Sequence, residues 1–265
     1  MDIIKNEIDQ GRAFDFGRVS EDYARFRDIY PAVFYQKIVD RGLCIEGQNV
    51  LDIGTGTGVL PRNMYRFKAN WTATDISIEQ IKTAKKLSEK NGMNIRYLVS
   101  SAEDLDFAEN SFDVITACQC FFYFDSKTIA PVFHRLLKPS GKLLILYMAW
   151  LPSEDKIAKM SEEIALKYSP HWSGAGETEH PIEVDEHILQ YFNVVEREEY
   201  RLQVPFTRDS WHGRMKTCRG IGASLSNEDL NRWDQEHYQM LKEQFPERFE
   251  VLHYAALAVL EKKNK

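Results

Sequence analysis

The chain has 265 residues, 43% hydrophobic and 28% charged, which suits one large α/β domain or a core with a smaller elaboration. Its formal net charge is −6 and it shows no lysine or arginine run, so the basic stripe of a protein that grips phosphate backbones is missing and nucleic acid is not an expected partner. No apolar run, that at 255–260 included, approaches the roughly 20 residues a membrane span needs, and the first residues lack the apolar stretch of a signal peptide; the expectation is a cytoplasmic protein without a membrane partner.

From Asn49 to Ala149 short apolar runs alternate with longer amphipathic stretches, the pattern of βαβ units and a parallel sheet. Five strands are predicted there, at 49–53, 71–75, 94–99, 112–117 and 142–149. Between the second and third, Ser77-Ile-Glu-Gln80 has capping-box spacing, and Ile78, Ile81 and Ala84 give the following helix an apolar stripe that closes at Asn91-Gly92. Another helix is expected over about 126–137, burying Val132, Phe133 and Leu136 and ending before Pro139 in Lys138-Pro139-Ser140-Gly141.

Beyond Trp150 the pattern changes. A helix over 153–168 carries Ile157, Met160 and Ile164, and an irregular stretch, 169–181, holds Gly174 and Gly176 and reads as a surface loop or lid. Two further strands are expected at 192–200 and 249–261, separated by helices at about 208–219 and 226–245, the second with Leu230, Trp233 and Met240 on one face. That makes seven strands, with no internal repeat.

The sharpest feature is Val50-Leu-Asp52-Ile-Gly54-Thr55-Gly56-Thr-Gly58, an apolar strand running into a glycine-rich turn that opens a helix. Glycines there let backbone approach a ligand closely. The dinucleotide form of such a turn, GxGxxG/A, requires Gly or Ala where this chain has Val59. The form Asp-x-Gly-x-Gly-x-Gly suits a ligand that presents an amino acid, because Asp52 can accept from an ammonium group. Asp75 ends the second strand, beside the loop, where its carboxylate can accept both hydroxyls of a ribose; the competing role is capping the next helix. Ser101-Ala102-Glu103-Asp104 follows the third strand, either reading an adenine edge or forming a solvated acidic turn. The fourth strand ends in Cys118-Gln119-Cys-Phe-Phe-Tyr123, which puts aromatics at the carboxyl edge, where open α/β sheets bind ligands.

In family order, the glycine loop, Asp75, Ala102-Glu103-Asp104-Leu105, Ser111-Phe-Asp113 and Leu137-Lys-Pro-x-Gly141 resemble the class I methyltransferases, more narrowly the methyltransferase type 11 group. The resemblance covers about 19–147. It implies an α/β fold with a Rossmann-like, mostly parallel seven-stranded sheet whose last strand runs antiparallel, with helices on both faces and a small helical cap or lid in the second half. Three segments follow: 1–150, N-terminal helices and the S-adenosylmethionine-binding core; 151–191, a helix and lid loop; 192–265, the final two strands with an inserted helical substrate cap. By family analogy Asp52 and Gly54 face the methionine part of S-adenosylmethionine, and Thr55 and Gly56 also bind the cofactor. Asp75 faces the ribose, Ile76 one adenine face and Ala102-Glu103 the adenine edge, while Cys118 and Gln119 lie near the methyl group. The leader Tyr23-Ala-Arg-Phe-Arg27-Asp-Ile-Tyr30-Pro31 is similar to that of small-molecule members such as trans-aconitate methyltransferase, in which the arginine meets the cofactor carboxylate. Asp28 stands where those members have a proline, and Tyr23, Phe26 and Arg27 equally suit packing on the core.

The expected reaction is methyl transfer to a small molecule, an anionic one included among the acceptors, by a monomer or homodimer. A sulfonium makes its methyl carbon electrophilic, so alignment matters most and a base is optional; Tyr123, His171 and His212 are the candidates should the acceptor need to lose a proton. Trp172, with other late tryptophans, suggests an aromatic-walled pocket, and Arg214 and Arg219 an anion grip, against plain core packing and a solvated helix face. The alternatives are a nicotinamide-dependent oxidoreductase and a non-catalytic S-adenosylmethionine-binding regulator. The four cysteines form no CxxC pair and read as reduced thiols, and His171, His180 and His187 are too widely spaced for a compact ligand motif, so no metal is expected.

Overall fold

A computed structural model describes residues 3–263. Two short helices, α1 (Ser20–Phe26) and α2 (Ala32–Val39), lead into β1 (Asn49–Ile53), α3 (Val59–Met64), β2 (Asn70–Asp75), α4 (Ile78–Lys90), β3 (Arg96–Val99), β4 (Phe112–Cys118), α5 (Ser126–Leu136) and β5 (Leu137–Trp150). Then follow α6 (Lys156–Tyr168), α7 (Glu186–Tyr191), β6 (Phe192–Thr207), α8 (Arg208–Lys216), α9 (Asn227–Gln244) and β7 (Arg248–Lys262).

The strands form one seven-stranded sheet in the order β3-β2-β1-β4-β5-β7-β6. Strands β3, β2, β1, β4 and β5 pair in parallel. Strand β7 runs the other way: Lys142 of β5 meets Glu261 of β7, while Leu151, just after β5, donates to the Leu252 carbonyl. Arg208 N donates to Glu247 O at one end of β6 and Lys263 N to Tyr191 O at the other, which fixes β6 antiparallel to β7. The sheet is thus mostly parallel with one reversed strand, as the family resemblance implies.

Strand β1 is central because Val50, Leu51 and Ile53 are apolar on both faces, and all three are buried. Several expected boundaries shift. Strand β5 begins at Leu137, directly after α5, because Phe112 pairs with Leu137 and Val114 with Lys142, so that residues 138–141 bulge within the strand instead of breaking it. Ser77 caps α4 by accepting from Gln80 N, but Ile78 in its first turn is exposed and the buried stripe starts at Ile81. In α5, Val132 is half-buried; Ile129, Ala130, Phe133 and Leu136 make the inner face. Helix α8 stops at Lys216, and α7 is a short helix without an apolar stripe long enough to announce it.

The chain divides into two compact units. One comprises 30–148, 180–200 and 255–265; it holds β1 to β4 and the helices α2 to α5 and α7, with α5 packed against α7. The other comprises 1–29, 149–179 and 201–254; in it α1 packs on α8, and α9 on both α6 and α8, around Trp211 and Trp233. Among the described residues no helix is long and apolar enough to cross a membrane.

Candidate cofactor site

At the carboxyl end of β1 the chain turns through Gly54, Gly56 and Gly58, all with positive φ. At Gly54 (φ +61°) a Cβ would lie 2.9 Å from both the Cβ and the Sγ of Cys120, so both backbone conformation and space require glycine. The loop is held by Thr55 N donating to Thr74 O at 2.9 Å, and Gly58 N to Thr55 O at 2.9 Å, before α3 begins.

Two carboxylates flank this loop. Asp75 accepts from Gly56 N through Oδ2 and from Ser77 N through Oδ1, each at 2.8 Å, so it ties the end of β2 to the loop and to the turn into α4. Loss of water raises its carboxyl above the ordinary value, opposed by these two N–H donors. Asp52, 1% exposed, accepts from Thr116 Oγ1 at 2.6 Å. Burial pushes its carboxyl up to about 7, against the hydrogen bond from Thr116, with the Asp75 charge adding to the rise.

Around them, Ile76 is 39% exposed immediately after Asp75. Ala102 is buried and Glu103 half-buried, in a segment where Ser101 Oγ donates to Asp104 Oδ2. Cys118 at the end of β4 lies 3.8 Å from the Tyr30 hydroxyl, and burial raises its thiol well above the ordinary range. Gln119, with φ +66°, donates to the Met148 carbonyl at 2.5 Å. Beyond it Phe122 is 52% exposed, with Tyr123 and Tyr147 at ring separations of 4.4 and 6.1 Å, and His180 sits 6.1 Å from Tyr147. The fold thus brings Asp52, Gly54, Thr55, Gly56, Asp75, Ile76, Ala102, Glu103, Cys118, Gln119 and Tyr123 into one unit at the carboxyl edge of its strands.

The remaining candidates belong to the other unit. Arg27 lies over the Tyr23 ring at 4.8 Å and donates to Thr217 Oγ1 and to its carbonyl, each at 2.9 Å. Trp172 is buried against Gly174 and Gly220, and His171 beside it is half-buried. Arg214 is buried over the Trp150 ring at 4.8 Å, and Arg219 makes a two-pronged ion pair with Asp9. His212 has both ring nitrogens engaged, with His237 and Asp234. Sequence reasoning passed over Thr116, although a hydroxyl in the middle of an apolar strand was a visible signal. It also passed over Cys120, whose contact with Gly54 has none.

Residues 51–145 match the family described as methyltransferase domain, Methyltransf_11. Two bacterial proteins named ubiquinone biosynthesis O-methyltransferase align over 134 residues: that of Xanthomonas euvesicatoria pv. vesicatoria (strain 85-10) at 33% identity and that of Xanthomonas oryzae pv. oryzae (strain PXO99A) at 32%. Each alignment covers 50% of this chain and 56% of the relative, so the chain spans about half the length of the curated relatives it matches. Among solved structures, one described as a methyltransferase of Bacillus halodurans C-125 superposes with a TM-score of 0.55 at 18% identity, over 88% of this chain and all of that one. One described as a sarcosine dimethylglycine methyltransferase of Galdieria sulphuraria does so with a TM-score of 0.52 at 17% identity, over 98% and 91%. These likenesses establish the Rossmann-like methyltransferase fold.

Proposed function

We propose that this chain, a class I methyltransferase of the type 11 family by the domain at residues 51–145, transfers the methyl group of S-adenosylmethionine to a small-molecule acceptor. The observation that carries this is the glycine loop clasped between Asp52 and Asp75. An ionised carboxylate offers about four lone-pair sites. The backbone N–H groups of Gly56 and Ser77 use one on each oxygen of Asp75, so the outer face retains acceptors for a ribose diol. Glycine at position 54 lets the loop close over Cys120, where any Cβ would collide, Asp52 offers an acceptor for an ammonium group, and the exposed Ile76 offers an apolar face for a planar base. The residues present therefore fit this cofactor.

Bound there, the cofactor supplies an electrophilic methyl carbon on a sulfonium. The protein's part is to orient that methyl and an acceptor in line and to exclude water. Cys118 and Gln119 border the place where the methyl would lie; Gln119 is fixed by its bond to Met148 O, which makes it a positioning residue. The exposed Phe122, with Tyr123 and Tyr147, gives a planar acceptor a stacking surface at the same edge. The names of the curated relatives favour an oxygen acceptor. A nicotinamide reading gains nothing: Val59 stands where its fingerprint needs Gly or Ala, and no relative named above is a dehydrogenase.

The test is calorimetric titration of the purified chain with S-adenosylmethionine and S-adenosylhomocysteine, with Asp75→Ala as control. Micromolar binding that weakens at least about tenfold in the variant is expected, the worth of one charge-assisted hydrogen bond. A folded wild type that binds neither ligand overturns the proposal.

A further inference from the structure

In the unit that carries α6, α8 and α9, five polar side chains form one continuous chain outside the cofactor site. Trp211 Nε1 lies 2.9 Å from Ser161 Oγ, and Ser161 Oγ lies 3.0 Å from His237 Nε2. His237 Nδ1 lies 2.8 Å from His212 Nδ1, and His212 Nε2 lies 3.0 Å from Asp234 Oδ1. Trp211, Ser161 and His237 are fully buried. The two imidazoles and Trp233 lie nearly parallel, with Trp233 to His212 at 5.0 Å and Trp233 to His237 at 4.8 Å. At its outer end the chain reaches a cleft of about 620 Å³ lined by His212, Lys216, Asp234, Arg25 and Tyr238 among others.

The donor and acceptor rules leave one arrangement with neutral rings. Indole N–H only donates, so Ser161 Oγ accepts from Trp211 and is free to turn its own proton to His237 Nε2. An ionised carboxylate only accepts, so His212 Nε2 carries a proton toward Asp234. The 2.8 Å gap between the two Nδ1 atoms holds a single proton, and it belongs to His237, because neutral His212 already carries its one proton on Nε2. Every ring nitrogen is then satisfied.

We propose that the Trp211–Ser161–His237–His212–Asp234 chain is a proton-sensitive latch that holds α6, α8 and α9 together while both imidazoles are neutral and loosens α9 when they gain protons. One added proton can be accommodated by moving the shared proton to His212 and turning His237 Nε2–H onto Ser161, which must then accept two donors. A second proton cannot, since it would set two N–H groups face to face across 2.8 Å. The charges around the pair act in both directions. Asp234 of α9 and Asp209 of α8 favour a charged His212, whereas Lys216 of α8 opposes it. Asp22 and Arg25 of α1 and Tyr238 of α9 share its cleft.

Burial is the largest influence on both rings, and it lowers His212 and lowers His237 further still below the ordinary 6.5. A histidine whose folded value lies below its unfolded one binds fewer protons when folded. The stability it contributes is therefore present above about 6.5 and lost as the pH falls below that.

The latch does not depend on the methyltransferase reading, and its test uses no turnover. Long-range nitrogen–proton correlation spectra of the full chain at pH 7.5 should show His212 as the Nε2–H tautomer and His237 as the Nδ1–H tautomer. Amide exchange in α9, corrected for intrinsic rates, should lose about tenfold or more of its protection between pH 7.5 and 5. His212→Gln, which keeps a donor for Asp234 but cannot be protonated, should remove the His212 part of that response and leave only the part due to His237. A charged His212 at pH 7.5, the opposite tautomers, or α9 protection that stays unchanged down to pH 5 would each overturn the proposal. The tautomer measurement decides the matter on wild type even if the variant fails to fold.

Discussion

Thr116 gives its hydroxyl proton to Asp52 Oδ1 at 2.6 Å, and the two residues are direct partners in the parallel pairing of β4 with β1. A carboxyl inside the sheet is thereby kept beside the glycine loop at a cost to the ligand-free fold. With Asp52 at about 7 in the fold against 3.8 unfolded, the folded protein retains the proton longer, so stability declines from pH 3.8 upward and levels off above about 7. Asp52→Asn should therefore stabilise the ligand-free protein at pH 8, by on the order of 4 kcal/mol at most, with little effect below pH 4. Urea unfolding at the two pH values reads this directly; equal effects at both would show that Asp52 ionises normally.

Cofactor affinity should follow the same carboxyl. If ionised Asp52 receives the ammonium group, binding strengthens about tenfold per pH unit below 7 and reaches a plateau above it. Thr116→Val removes the bond that favours the ionised form and should move that plateau to higher pH. Calorimetric titration from pH 6 to 9 distinguishes such a shift from uniform weakening, which would mean that Thr116 acts only through packing.

Gly54→Ala should cost about 1–3 kcal/mol of stability, because the new Cβ meets Cys120 and the backbone holds φ at +61°. Removing the neighbouring side chain in Gly54→Ala/Cys120→Gly should restore only the steric part. Melting curves of the two variants separate the contributions: full recovery in the double variant would put all of the cost in the clash.

The glycine turn after β1 and the place of Asp75 at the end of β2 were readable from sequence, because each is marked by a short apolar run ending in turn residues. Strands β1 to β4 were readable for a related reason, since short apolar runs bounded by turn residues carry a local period. Strand β5 was read short because Pro139-Ser140-Gly141 has turn chemistry, and only the pairing of Leu137 with Phe112 reveals a bulge inside a strand. The histidine chain was invisible for a different reason. His212 stood out singly in the sequence, but its meaning comes from Ser161, Asp234 and His237, brought together from α6 and α9 by packing.

Arg27, just after α1, is fastened twice to Thr217, just after α8. Arg27→Ala should lower stability by about 1.5–3 kcal/mol, the range for hydrogen bonds from a charged donor. Arg27→Lys should recover part of this, because a point donor cannot reproduce both prongs of the fork. Chemical unfolding of the three proteins reads this role directly; unchanged stability in Arg27→Ala would show that the bonds to Thr217 do not hold the fold.

Asp9 and Arg219 are 210 positions apart and form a buried pair, with Arg219 Nε 2.6 Å from Asp9 Oδ2 and Nη2 3.1 Å from Oδ1. Burial alone would raise the Asp9 carboxyl, but the hydrogen bonds and charge of Arg219, together with Ser173, outweigh it and hold Asp9 below the ordinary value. Its contribution to stability is thus present above pH 3.8 and lost as the pH falls below that. Asp9→Asn keeps the shape but strands the guanidinium, and at pH 7 it should cost about 3–5 kcal/mol. Asp9→Leu/Arg219→Met removes both charges and should recover most of that loss. Urea unfolding at pH 7 and pH 3 checks both expectations, since the gap between wild type and Asp9→Asn must narrow at the lower pH if the charge of Asp9 is its source.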